Sequence, residues 1–82
     1  MFLTMLNVSK CVLLSDAAIS RLGQECVNLV HLNISRINKL CEISLKLPKL
    51  QFLSVAECSI ISEKSIQCIA KYCVNLLEIV RY

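Results

Sequence analysis

Six cysteines, a single histidine and a single aspartate are the first places to look for chemistry in this chain of 82 residues. The cysteines are Cys11, Cys26, Cys41, Cys58, Cys68 and Cys73, with gaps of 15, 15, 17, 10 and 5. A thiolate zinc site is built from close pairs such as C-x-x-C, completed by histidine or further cysteine. No such pair exists, and His31 is the only imidazole. A reactive thiol needs a neighbouring cation or helix N-terminus to favour the thiolate, and nothing in the pattern marks one. His31 could serve as a base, but no serine or cysteine shares a nucleophile motif with it. Asp16 follows Ser15, where a helix start would use both. No catalytic, cofactor-binding or metal-ligating residue is assigned, and no enzyme is expected.

The cysteines instead mark a repeat. Cys26-Val27-Asn28-Leu29 recurs as Cys73-Val74-Asn75-Leu76, and a shift of 47 positions aligns the segments before them as well. Cys11 falls on Cys58, Ser15 on Ser62, Asp16 on Glu63 and Ile19 on Ile66. A finer spacing, L-x-x-L-x-L-x-x-C, appears as Leu3, Leu6, Val8 and Cys11. It returns as Leu29, Leu32, Ile34 with Ile37 in the cysteine place, and as Leu50, Leu53, Val55 and Cys58. A fourth copy begins at Leu76 and Ile79 but puts Arg81 where an aliphatic residue belongs. The starts are 26, 21 and 26 residues apart, within the span of strand-and-helix repeats. The units are 3–28, 29–49 and 50–75, with a partial unit at 76–82, all in one domain.

Each unit opens with alternating apolar residues, such as Leu6 and Val8, which suit a short strand with one buried face. The period then changes. Ile19, Leu22, Cys26 and Leu29, and likewise Ile66, Ile69, Cys73 and Leu76, stand at i, i+3, i+7 and i+10, along one face of a helix. Ser15 and Ser62 are placed to cap these helices, with Asp16 and Glu63 in the first turn. In the middle unit Leu40, Ile43 and Leu47 keep helical spacing until Pro48, so a short or irregular helix is expected there. Asn28 and Asn75 are expected to stop the helices in the left-handed conformation that asparagine tolerates. Cys11 and Cys58 are expected as small buried residues whose thiols donate to turn carbonyls, and Cys26 and Cys73 as helix-face hydrophobes. Cys41 and Cys68 fall outside the pattern.

The unit resembles the cysteine-containing subtype of leucine-rich repeat, L-x-x-L-x-L-x-x-C-x-x-I-[ST]-D-x-x-L-x-x-L-[AG]-x-x-C. It is matched from Leu3 to Cys26 through Leu14-Ser15-Asp16 and Leu22-Gly23, and from Leu50 to Cys73 through Ile61-Ser62-Glu63 and Ile69-Ala70. The central unit departs, with Ile37 and Leu47 in the two cysteine places. The resemblance implies an α/β leucine-rich-repeat solenoid, a curved right-handed horseshoe segment with parallel strands on the concave face and helices on the convex one. Such repeats are familiar from F-box/leucine-rich-repeat proteins, whose F-box holds the Skp adaptor of an SCF-type cullin ubiquitin ligase while the solenoid captures the protein to be ubiquitinated. Similar repeats occur in mitotic-exit antagonists and in axonemal regulators. No F-box is visible here, so the resemblance implies a fragment that reaches the Skp adaptor only through a missing segment. It implies no cofactor.

In such an architecture the residues between the patterned leucines carry recognition. Stacked units would align Met5, His31, Phe52 and Glu78 in one row, and Asn7, Asn33, Ser54 and Val80 in the next. Ser9, Ser35 and Ala56 would form a third row, flanked by Lys10, Arg36 and Glu57. Met5, Asn7, His31, Asn33, Arg36, Phe52, Ser54 and Glu78 are therefore the candidate partner-binding residues, with Met5 and Phe52 as anchors. Cys11, Cys26, Asn28, Cys58, Cys73 and Asn75 are structural positions of the repeat. A protein partner is expected rather than nucleic acid, because the nine Lys and Arg are scattered and the net charge is only +3. No apolar run approaches a membrane span, and the N-terminus lacks the basic region of a signal peptide. Reduced thiols in the cytoplasm or nucleus are expected on that basis.

Overall fold

The computed structural model describes residues 2–82. Four three-residue strands, β1 (Met5–Asn7), β2 (His31–Asn33), β3 (Phe52–Ser54) and β4 (Glu78–Val80), form one parallel sheet in the order β1-β2-β3-β4. Two helices, α1 (Asp16–Glu25) and α2 (Glu63–Tyr72), follow β1 and β3. The chain is thus α/β with sequential parallel strands. Strand starts are 26, 21 and 26 residues apart, in step with the sequence repeat. Strand centres Leu32 and Leu53 point inward to a single apolar cluster with Ile19 of α1 and Ile66 and Ile69 of α2. The ladder runs on past the strands, since Val8 N–H donates to Asn33 O, Lys10 N–H to Ser35 O and Arg36 N–H to Ala56 O.

Both helices begin as the spacing predicts. Ser15 Oγ accepts from Ala18 N–H and Ser62 Oγ from Ser65 N–H, with Asp16 and Glu63 in the first turns. Both end on a cysteine, whose N–H donates to Leu22 O in α1 and Ile69 O in α2. A tight turn then leads to the next strand, with Leu29 N–H on Cys26 O and Leu76 N–H on Cys73 O. Leu50 N–H makes the same bond to Leu47 O, so the leucine takes over the cysteine's place in the middle unit.

The middle unit has no helix. Ile43, Leu45 and Leu47 are buried while Glu42, Ser44 and Lys46 are exposed, the alternation of an extended strap. Unit length explains the change. A ten-residue helix such as α1 advances about 15 Å, and about five extended residues cover the same distance. Replacing one by the other removes about five residues, which is the difference between 26 and 21. The strap lies between the helices and is bonded to both. Asp16 Oδ1 and Oδ2 accept from Cys41 N–H and Glu42 N–H, each at 3.0 Å. Ser65 Oγ accepts from Ile43 N–H at 3.0 Å and donates to Cys41 O at 3.4 Å. Gly23 of α1 approaches so closely that a Cβ there would stand 3.0 Å from Leu45 Cδ2.

Two expectations about turns are corrected. The left-handed residues are Lys10, Arg36 and Glu57, with φ of 65°, 61° and 57°, and not Asn28 or Asn75. The asparagines tie neighbouring units together instead, with Asn75 Nδ2 donating to Pro48 O at 2.6 Å and Asn28 Oδ1 accepting from Lys49 Nζ at 2.8 Å. The cysteine expectation holds for Cys58, which is buried and donates to Ile34 O of the preceding unit, but Cys11 is exposed. A thiol at this position bonds to the unit before it, and among the described residues no strand lies beyond β1. Cys26 and Cys73 are buried, and Cys73 Sγ donates to Leu45 O at 3.4 Å. Burial pushes the Cys73 thiol pKa up from its ordinary value.

Candidate functional site

The face of the sheet turned away from the core carries the side chains that alternate with Leu6, Leu32 and Leu53. Strand register places Met5, His31, Phe52 and Glu78 side by side, and Asn7, Asn33, Ser54 and Val80 beside one another two residues further on. Both rows are those the sequence implies. Met5, His31 and Glu78 are exposed, Phe52 is half-buried, and the His31 and Phe52 rings lie 5.8 Å apart at a tilt of 33°. Met5, His31, Phe52, Asn7 and Asn33, over a floor of Leu6 and Leu32, enclose a shallow depression of about 380 Å³. A thioether, an imidazole and a phenyl ring held together at a surface form a ready apolar seat.

The second row differs from the expectation. Asn7 Oδ1 accepts from Ser9 N–H, and Asn33 Oδ1 accepts from both Ser35 N–H and Ser35 Oγ, at 3.0, 3.0 and 2.6 Å. These side chains bend the backbone as it leaves the strand, leading into the left-handed Lys10 and Arg36. Ser54 does the same more weakly towards Ala56 N–H at 3.5 Å, and it is buried. Ser35 of the third row is buried too. Arg36 is exposed but engaged, its Nε 2.8 Å from Glu57 Oε2 across to the next turn. Arg81 occupies the aliphatic place of the fourth unit and pairs with Glu63 at 2.6 Å, turning an inward position outward.

A second hollow, about 420 Å³, separates α1 from the strap and is lined by Ser20, Gly23, Gln24, Val27, Ser44 and Lys46. Its charged group, Lys46, lies over the Tyr72 ring at 4.6 Å. That hollow holds no histidine, cysteine or carboxylate beside its two serines and Lys46. All six cysteines are free thiols, and among the described residues no three His, Cys, Asp or Glu side chains are grouped to hold a metal ion. Among the same residues no helix is long and apolar enough to cross a membrane.

The sequence pattern missed Asp16 as a structural clamp, because its partners at Cys41 and Glu42 are 25 and 26 residues away. It also missed the strap, although the alternation Ile43, Leu45, Leu47 was present in the sequence. Comparison of the chain with protein-family models, curated proteins and solved structures gave no match.

Proposed function

We propose that this chain is a stretch of cysteine-type leucine-rich repeats that binds a protein partner on the outer face of its sheet, as the substrate-recognition repeats of an F-box/leucine-rich-repeat subunit of an SCF-type cullin ubiquitin ligase. The observation that carries the binding role is the row Met5, His31 and Phe52. Three large side chains are displayed on the side of the sheet opposite the core, around one depression. Aromatic and methionine side chains are enriched at the centres of interfaces. The ubiquitin-ligase role rests on the sequence resemblance alone. A scaffold or axonemal regulator built from the same repeats is the second reading.

The test uses the full-length protein in cells with a photo-crosslinking residue at position 52 or, as a control, at Gln67, which is exposed on α2. Crosslinks from position 52 to a protein whose turnover slows when Phe52→Ser replaces the wild type support the ligase reading, provided the Skp adaptor co-purifies. A stable crosslinked partner without the adaptor supports the scaffold reading. Crosslinks from position 67 alone refute the sheet face as the site.

A further inference from the structure

We infer that the partner presents an extended acidic segment, with an apolar side chain seated among Met5, His31 and Phe52 and a carboxylate two residues away held by the Asn7 and Asn33 side-chain amides. The inference rests on the sheet face being the binding surface. Its basis is the use of only half of each carboxamide. The Oδ1 atoms of Asn7 and Asn33 are tied to the backbone N–H groups of Ser9 and Ser35. An N–H donor requires the oxygen there, which fixes the orientation of both groups and leaves each Nδ2 directed away from the turn. Neither Nδ2 has a protein acceptor among the described residues.

The two asparagines are register partners on neighbouring strands. Their backbones therefore stand about 4.8 Å apart, and with both side chains turned alike by their Oδ1 bonds, one carboxylate can reach both amides. The Met5 and His31 row lies two residues earlier on the same strands, roughly 6.8 Å away. An extended peptide repeats its side chains at that same interval, so one apolar residue and one acid at i and i+2 meet both features together. Charge favours the same direction. Lys10 stands beyond the asparagines on the β1 side with no ion-pair partner among the described residues, while Arg36 is already paired with Glu57. The acidic side chains of this face, Glu57 and Glu78, belong to the β3 and β4 side.

The probe is a displayed library of random eight-residue peptides selected on the intact chain, with Asn7→Asp/Asn33→Asp and Phe52→Ser as counter-targets. Aspartate keeps the oxygen that the turn needs and removes the donor, so the urea midpoint of the double variant serves as its folding control. The expected result is enrichment of an aromatic or aliphatic residue two places from Asp or Glu. Binding of such peptides falls at least about tenfold on the double variant, and equally when the peptide acid is changed to its amide on the wild-type chain. Peptides that need Phe52 but no acid overturn this inference and leave the sheet face as the site. Peptides indifferent to Phe52→Ser overturn both.

Discussion

Asp16→Ala separates a helix start from a clamp. A residue that only begins a helix contributes its charge to the helix dipole, about 0.3–1 kcal/mol. Asp16 in addition holds Cys41 N–H and Glu42 N–H of the strap, each at 3.0 Å. A hydrogen bond to a charged group contributes about 1.5–3 kcal/mol, and water replaces part of it where the donor is exposed, as Glu42 is. Alanine returns about 0.5 kcal/mol of helix propensity. The net expected loss is therefore about 2–3 kcal/mol, equal to a fall in Tm of roughly 10–20 °C for a domain of this size. Glu63 is the repeat-equivalent residue on α2, and its partner Arg81 is exposed. Glu63→Ala is expected to cost no more than about 1 kcal/mol. Asp16→Asn keeps one acceptor oxygen and should fall between the two. Urea denaturation measures all three, and amide exchange at Cys41 and Glu42 reports the lost bonds directly. Equal losses for Asp16→Ala and Glu63→Ala would show that Asp16 is a helix start and nothing more.

Gly23→Ala sets helix propensity, a gain of about 1 kcal/mol, against the contact at 3.0 Å with Leu45 Cδ2. Leu45 is fully buried, so its side chain can yield only by disturbing the core, and a net loss of up to about 2 kcal/mol is expected from the urea midpoint. A stabilised variant would show instead that the strap can move away from α1. Cys73 has its thiol pKa raised by burial above the ordinary 9.0. Above that pH the unfolded thiol loses its proton before the folded one, so stability should decline as pH rises past 9.0. In native protein at pH 8, iodoacetamide should label exposed Cys11 and spare Cys73, as read by mass spectrometry. Rapid labelling of Cys73 would contradict its burial.

The sequence by itself determined the strands, their register and both helices. Those features follow from short-range spacing: Leu6, Leu32, Leu53 and Ile79 recur at fixed places in each unit, so parallel strands stacked in step bring like positions together. Ser15 and Ser62 cap within three residues of themselves. The sequence also gave the rows of the candidate site, because register and side-chain alternation are set by the same period of two. Tertiary structure decided the middle unit. Leu40, Ile43 and Leu47 allow a helix, while Ile43, Leu45 and Leu47 allow an extended strap. The choice fell to the distance that 21 residues must span between the adjacent strands β2 and β3. It also decided the uses of the polar residues. Asp16, Ser65, Asn28 and Asn75 bond to residues more than twenty positions away, which no local pattern can announce. Asn7 and Asn33 were readable as surface residues. That each gives its oxygen to its own turn and displays its amide depends on where the chain leaves the sheet, and that path is set by the packing of the unit alongside.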